Sequence, residues 1–510
     1  MQKSMIQIKL TIIATAAVLA GCSITPKALE PSEIAQINYS DRQLAFADME
    51  PHGEVITIDE AIARALKYNL DHRVKTLEQS LAAGQLEAGK FDMLPKLLAN
   101  AGYSWRDNNN LRYKADSSTP NTFDKNQRLD LSNEAEHNTA DLALSWNLLD
   151  FGASYYTAKQ NADKLLIASE HRRKAIHTLI QNVRTSYWRA VAAETLSNDV
   201  RLTIDDAETA LQNAYTLAKE RVRAPDESLR YQRNLLENLR LLESVERELA
   251  SARIELTNLM GLLPGSTFKL IEPTVNEKPL DVDMPKLEAL ALMQNADLRE
   301  QFYNARIAAE DTRKELLRLL PGITLDYGTY RDDDMYLVNE QWKSAGVRIS
   351  FNLFNLLAAP SKMKAAEKNE AVTQARRMAL QMSVLTQVHL AHHQYTDSLR
   401  QFQRADAIYN VDAQLKDIIQ SKLKSQVVGD QTRISANVTS ILSLLRRYQS
   451  MAKLQESIGR LQANLGMEPE LNSLDETNLT ELTNSVGQWL NSDMVTQLNN
   501  FNLPAISEPM

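Results

Sequence analysis

Apolar positions along the chain follow two kinds of pattern, and each kind occurs twice. Leu235, Leu239, Leu242, Val245, Leu249, Ala252, Leu256 and Leu259 recur at steps of three and four. Leu444, Tyr448, Met451, Leu454, Ile458, Leu461 and Leu465 repeat that pattern toward the other end. This spacing predicts helices packed in coiled-coil fashion along an apolar stripe. A long helical stretch precedes each, over about 154–220 and about 361–425. At 1.5 Å per residue each long helix spans about 100 Å and each returning helix roughly half that. Pro360 is assigned to the first turn of its helix, where a missing N–H costs nothing. A further helix is predicted from Thr57 to about Met93. Thr57-Ile58-Asp59-Glu60 reads as a capping box that opens it, and Pro95 closes it. Elements of these lengths suggest a tall cylinder, with two short helices stacked end to end matching one long one.

The second pattern is strict alternation. Leu97, Ala99, Ala101, Tyr103 and Trp105 alternate with Leu98, Asn100, Gly102 and Ser104, and Leu142, Leu144, Trp146 and Leu148 alternate with Ala143, Ser145 and Asn147. Ile323, Leu325 and Tyr327 alternate with Thr324, Asp326 and Gly328, and Val347, Ile349, Phe351 and Leu353 with Arg348, Ser350 and Asn352. Runs of about nine residues suffice for tilted strands to cross a bilayer. A half-buried soluble sheet gives the same alternation. Aromatic residues on the apolar face and polar tips, Asp107-Asn108-Asn109-Asn110 and Arg331-Asp332-Asp333-Asp334, favour the membrane reading. Membrane strands must pair every backbone group, so the sheet must close. Four strands cannot close, and single-chain barrels start at eight. Two copies would give eight strands and three would give twelve.

The two halves are copies of one plan. Ala65-Leu66-Lys67-Tyr68-Asn69-Leu70-Asp71 recurs as Ala291-Leu292-Met293-Gln294-Asn295-Ala296-Asp297, and Leu94-Pro95 as Leu320-Pro321, at an offset of 226. Ser145-Trp146-Asn147-Leu148 matches Ser350-Phe351-Asn352-Leu353, Leu256 matches Leu461 and Gly261 matches Gly466, at an offset of 205. The first half therefore carries 21 extra residues (226 − 205) between Tyr103 and Leu142, in a hairpin tip. The fold class is mainly α, an internally duplicated protomer of long helices and β-hairpins. Its expected divisions are 57–264 and 286–467 for the repeats, with hairpins at about 97–148 and 323–353. The segments 265–285 and 468–510 are the linker and tail.

Composition sharpens this picture. Only 15 glycines and 15 prolines in 510 residues leave few turns, which disfavours α/β folds with a glycine-rich loop after each strand. Mean hydropathy of −0.36 is too polar for a bundle of transmembrane helices. A net charge of −8 argues against a nucleic-acid partner. The single cysteine, Cys22, rules out a disulfide framework and a cysteine zinc site. Lys3 and Lys9 followed by an apolar run from Leu10 to Val18 make a secretory signal. Leu19-Ala20-Gly21-Cys22 resembles the bacterial lipobox, so residues 1–21 are expected to be removed and Cys22 to be lipidated. Residues 22–56 then form a lipidated N-terminal segment, and Ser23 after the cysteine implies sorting to the outer membrane. The mature chain loses Lys3 and Lys9 and carries −10 (55 basic, 65 acidic).

The duplicated set as a whole resembles the TolC family of outer-membrane efflux channels, particularly its lipidated OprM-like branch. The likeness spans about 56–467. It rests on Asp59-Glu60-Ala61-Ile62-Ala63-Arg64-Ala65-Leu66, Leu94-Pro95, Leu144-Ser145-Trp146-Asn147-Leu148-Leu149-Asp150, Val183 with Tyr187, and the paired endings Leu259-Met260-Gly261 and Asn464-Leu465-Gly466. The resemblance implies a homotrimer with a twelve-stranded transmembrane barrel and an α-helical periplasmic tunnel. It implies a passive exit duct for small molecules or drugs, driven by an inner-membrane pump through a periplasmic adaptor. It places the protein in the outer membrane of a Gram-negative bacterium, and assigns the segments near 263–285 and 468–510 to an equatorial belt. The closing helical tips fall near 221–226 and 426–433. Gly429 matches the family's turn glycine, whose role is a conformation other residues disfavour. The family's inward aspartates have no match, since Ser435 and Val438 stand at the expected spacing. Asp226, Arg230, Asp430 and Arg433 are candidates for gate ion pairs or a pore ring, beside the plain reading of solvated charges at a turn.

Other chemistry finds no support. His392-His393 point about 100° apart on a helix and are assigned to packing, and His171-Arg172-Arg173-Lys174 is read as a solvated face. No P-loop, Gly-x-Ser-x-Gly, His-Glu-x-x-His or Rossmann fingerprint occurs. No enzyme, cofactor or metal site is expected. A duct for type I protein secretion shares the architecture, and a lipid-anchored periplasmic coiled-coil scaffold is the alternative without a pore.

Overall fold

The computed structural model describes residues 27–113, 118, 130–131, 133–220, 224–274, 278–425, 429–469, 478–492, 495 and 498. Contacts separate a short unit ending at Pro51 from the unit His52–Met510. The first unit contains helix α1 (Pro31–Phe46), none of whose residues is buried. In the second, β1 (Val55–Ile56), α2 (Ile58–Tyr68), α3 (Leu70–Phe91), β2 (Lys96–Trp105), β3 (Leu111–Arg112), β4 (Asp130–Leu131) and β5 (Glu136–Asn147) lead into α4 (Leu148–Lys219). Then come α5 (Pro225–Leu259), β6 (Lys269–Leu270), α6 (Met284–Gln294), α7 (Ala296–Leu317), β7 (Gly322–Asp332) and β8 (Gln341–Ser350). Helices α8 (Phe354–Lys424), α9 (Asp430–Leu465) and α10 (Leu479–Asn491) complete it. No described helix is long and apolar enough to cross a membrane.

The long helices begin earlier than their apolar periodicity indicates. Asn147, the last residue of β5, accepts hydrogen bonds from the amides of Leu149 (2.9 Å) and Asp150 (3.1 Å), so strand passes into helix without a loop. Helix α4 consequently has 72 residues and α8 has 71, each about 107 Å long. Pro360 lies inside α8, at its seventh residue rather than in the first turn. Thr57 caps α2 by accepting from the Glu60 amide at 3.3 Å, but only this half of the expected capping box forms. The Glu60 carboxylate turns instead to Arg64 Nε at 2.8 Å, where it neutralises a guanidinium that is otherwise buried.

The helix expected to run from 57 to 93 is broken at Asn69, and the break recurs at Asn295. Asn69 accepts from the His72 amide at 3.0 Å and donates through Nδ2 to the Leu259 carbonyl at 3.2 Å. Asn295 accepts from the Leu298 amide at 3.1 Å and donates to the Asn464 carbonyl at 3.2 Å. One side chain thus starts the lower helix of each stack and ties down the end of each returning helix. Beside these junctions Gly261 and Gly466 take positive φ values of 73° and 67°. A Cβ on Gly466 would lie 2.3 Å from the Gln294 carbonyl oxygen, and one on Gly261 2.8 Å from that of Tyr68. Both offsets of the sequence duplication meet here (69 + 226 = 295; 261 + 205 = 466).

The cores are helical seams. Along α5, Leu235, Leu239, Leu242, Val245, Leu249, Ala252 and Leu256 are buried. Val388, Tyr395 and Leu399 of α8 and Tyr448, Met451, Leu454, Ile458 and Leu461 of α9 form the counterpart seam. Each large apolar side chain so buried contributes about 1.5–3 kcal/mol. Helix α9 packs on both α8 and α4, joining the two repeats.

The strands form one antiparallel sheet in the order β2-β5-β7-β8, so the two hairpins pair through their inner strands and β2 and β8 lie outermost. Three of the four strands extend farther toward the tips than the alternation indicates: β5 starts at Glu136, β7 ends at Asp332 and β8 starts at Gln341. Backbone pairing such as Trp105↔Glu136 and Tyr103↔Asn138 carries these extensions, where one partner in each pair is polar. Leu148, Phe351 and Leu353, assigned to strands from their alternation, lie outside them.

The junction geometry gives a direct test. Gly466→Ala should destabilise the purified full-length chain by more than about 2 kcal/mol, from left-handed backbone strain plus the clash with Gln294. Gly429→Ala, at an extended N-cap position with open surroundings, should change stability by less than about 1 kcal/mol, because the poorer capping by alanine opposes the entropic gain. Unfolding in denaturant compares the two; equal effects would refute the junction account.

Candidate functional site

Two regions carry the features that the sequence singles out, the sheet and the helical turns at the far ends of the long helices. In the sheet, the register puts Leu97, Leu144 and Tyr327 in one cross-strand row, and Trp146, Leu325 and Val347 in another. This face is uncovered: Val347 and Ile349 are 70% and 69% exposed. The opposite face is a polar ladder. Asn147 Nδ2 donates to Thr324 Oγ1 (3.1 Å), Ser145 Oγ to Asp326 Oδ1 (2.7 Å) and Asn100 Nδ2 to Asp141 Oδ2 (2.9 Å). Not all the aromatics keep to the apolar face, since Tyr330 and Trp342 stack at 5.6 Å on the polar one. A sheet whose outward groups are apolar and whose hydrogen-bonding side chains share the other face suits a wall between lipid and water.

At the helical turns the candidates separate. Pro225 occupies the first helical position of α5, and Asp226 follows it in the first turn, suited to the helix dipole. Asp226 and Arg230 are exposed and form no ion pair among the described residues. Gly429 is the N-cap of α9 with φ −92° and ψ 168°, an extended conformation open to any residue, and a Cβ there would meet nothing within 4 Å. Its assignment to a conformation that needs glycine is therefore corrected. Asp430 begins α9, and its side chain lies outside the described residues, as do 221–223, 426–428 and Cys22.

Arg433 is the candidate that finds a partner. Its Nη1 donates to Asp206 Oδ2 at 2.6 Å, joining α9 of the second repeat to α4 of the first. Sequence reasoning missed Asp206, because 227 residues separate the pair and Asp205-Asp206 belongs to no motif. Farther along, Arg447 Nε meets Asp406 Oδ1 at 2.6 Å and its Nη1 meets Glu272 Oε1 at 2.9 Å. Tyr448 Oη donates to Glu272 Oε2 at 2.9 Å, and burial pushes the phenol up to about 12. The segment after β6 is thereby tied to α9.

The basic run 171–174 is a solvated face only in part: His171 and Lys174 are exposed, but Arg173 is largely buried. Arg173 bridges Glu170 (2.6 Å) and Glu468 (2.5 Å), and His177 Nε2 lies 2.9 Å from the same Glu468. Burial would raise the Glu468 carboxyl, but the hydrogen bonds from His177 and Arg173 and the Arg173 charge outweigh it and hold it below the usual carboxylate range. Tyr187 Oη lies 3.0 Å from the Ile56 carbonyl oxygen and 2.8 Å from that of Ile271, which share its single donor hydrogen, and so holds the β1–β6 ribbon against α4. Burial raises its phenol well above the ordinary value.

Known proteins share this arrangement. A curated relative, the cation efflux system protein CusC of Escherichia coli O157:H7, is 25% identical, with 79% of this chain and 89% of that protein covered. The Campylobacter jejuni CmeC outer membrane channel superposes with a TM-score of 0.63 at 14% identity, over 93% of this chain and all of that one. The open state of the Neisseria gonorrhoeae MtrE outer membrane channel gives 0.59 at 14% identity, over 81% and 89%. The chain has the fold of these solved outer-membrane channels. No protein-family model matches it. Both solved structures are of outer-membrane channels.

The Glu468 cluster makes the packing of the segment after α9 against α4 acid-sensitive. A carboxyl with a depressed folded-state pKa contributes stability above its unfolded value and loses it as pH falls through the folded one. Thermal unfolding followed from neutral pH to below the usual glutamate range should show this loss. In Glu468→Gln the wild-type excess at neutral pH should vanish and the acid limb should flatten. Parallel acid limbs would exclude Glu468 as a source.

Proposed function

We propose that the chain is the outer-membrane exit duct of a tripartite export system, passing small solutes driven by an inner-membrane pump through a periplasmic adaptor. The observation that carries this reading is a four-stranded sheet, apolar on one face and polar on the other, joined without a loop to helices of 71–72 residues. Three copies would supply twelve strands, and pairing β2 of one copy with β8 of the next would satisfy both outer strands. The long helices would then build a tunnel through the periplasm of a Gram-negative cell, with Cys22 lipidated in the outer membrane. Support for a small-solute cargo comes from the relative named for cation efflux, and the Asp141 and Asp326 carboxylates on the polar face favour a cation-preferring lumen.

The Arg433–Asp206 pair is assigned to the gate, because separating α9 from α4 is the movement that would widen the turns. Asp226, Arg230, Gly429 and Asp430 are assigned to the same tip. An exposed pair of this kind contributes about 0.2–1 kcal/mol. Three copies opening together would multiply the effect, so open probability should rise several-fold.

Planar-bilayer conductance of the reconstituted protein tests both parts. Asp206→Ala and Arg433→Ala should each increase open probability, and the charge swap Asp206→Arg with Arg433→Asp should return it toward the original. Equal openings in all variants would remove the pair from the gate. Leu144→Arg should cost about 2–4 kcal/mol near mid-bilayer and abolish insertion. A harmless Leu144→Arg with no conductance in any variant would favour the scaffold instead.

A further inference from the structure

Three of the eight histidines fall within five residues of α8: His389, His392 and His393. His392 and His393 diverge by about 100° around the helix. His389 and His393 stand one turn apart on one face, where Cβ atoms are about 5–6 Å from each other. Both side chains are exposed, at 55% and 71%, and each already faces a carboxylate through Nε2. His389 meets Glu288 of α6 at 2.7 Å, and His393 meets Asp397 at 3.2 Å. The other Asp397 oxygen faces Arg400, which anchors that carboxylate where it is. Nothing in the duct reading uses these groups.

We propose that His389 and His393 chelate a divalent transition-metal ion, with Glu288 as a third ligand carried by α6. Two imidazoles at i and i+4 have the spacing by which helices present zinc ligands. Imidazole with carboxylate suits zinc, copper(II) or nickel(II) and not calcium or magnesium. Ligand atoms about 2.0–2.1 Å from a tetrahedral ion lie about 3.3 Å apart. The His389–Glu288 separation of 2.7 Å is somewhat shorter, so this pair admits an ion by parting slightly. Among the described residues no three His, Cys, Asp or Glu side chains stand together as a formed metal site. The site therefore closes on binding, as His393 rotates from Asp397 toward the His389–Glu288 pair. The ion then clamps α6 onto α8, which already pack together.

The test is calorimetric titration of the untagged full-length chain in detergent with zinc chloride at neutral pH, in a non-chelating buffer. One ion per chain is expected. Affinity should fall about tenfold or more in His389→Ala and in His393→Ala, and less in Glu288→Gln. His392→Ala should bind as wild type. Zinc should also slow amide hydrogen exchange across 284–294 in wild type but not in His393→Ala. All the substituted side chains are at least partly exposed, so the variants are expected to fold, and circular dichroism checks this. No binding up to millimolar zinc, binding indifferent to both histidine substitutions, or binding that follows His392 would each overturn the proposal.

Discussion

A helix that stops inside a protein leaves amides at one end and carbonyls at the other without partners, and the architecture turns on how two such stops are combined. At Asn69 and again at Asn295 one side-chain amide serves both. Its oxygen takes an amide from the helix that begins there, and its nitrogen reaches a carbonyl of the helix that ends alongside. The neighbouring glycine then turns the ending helix away through a left-handed residue, with a backbone approach too close for any Cβ. Because short helices and returning helices are locked at these points, the strands above and the turns below have fixed heights. The same junction made twice is what lets the two repeats stand side by side.

The repeats differ in how they adhere. Within each repeat the long seams are apolar, but where α4 of the first meets α7 of the second the contact is largely polar. Asp163 meets Arg306, Glu170 Oε1 meets Arg299 at 2.8 Å, Lys174 meets Asp297 at 2.5 Å, and Gln160 donates to Asp311 at 2.7 Å. Asp163 and Glu170 are buried but their arginine partners reach solvent, as do Lys174 and Asp297; such pairs add little net stability, so this seam fixes register more than it adds stability. Of the α7 residues only Ala296, Leu298 and Ala308 are buried.

The sequence was most legible where a period repeats. The apolar stripes of α5 and α9, the alternating strands and the twofold plan all follow from spacing, and all recur in the structure. What spacing could not show are single side chains that act at a distance. Asn69 sits inside an uninterrupted helical pattern, and only its bond to a carbonyl 190 residues away makes it a break. Glu60 fits a capping box until the buried Arg64 competes for it. Gly429 reads as a required turn glycine because composition cannot reveal φ. Pro360 looks like a helix start, although Asn352 already accepts from the Phe354 amide at 3.1 Å and starts α8 upstream. Asp206 has no local signature, and its role rests wholly on Arg433.

In the proposed duct, the outer strands of the sheet carry a consequence for how a subunit would enter the membrane. Each chain offers two edges whose free amides and carbonyls are tolerable in water and costly in hydrocarbon. A lone chain therefore cannot lower its free energy by entering a bilayer in this form. In that duct, insertion and association would be one event, and its rate should rise more steeply than linearly with subunit concentration. Until neighbours arrive, the same edges are open to any strand at hand. The polar tips and the lysine at position 343 on the outermost β8 are the kinds of feature by which sheets blunt an open edge.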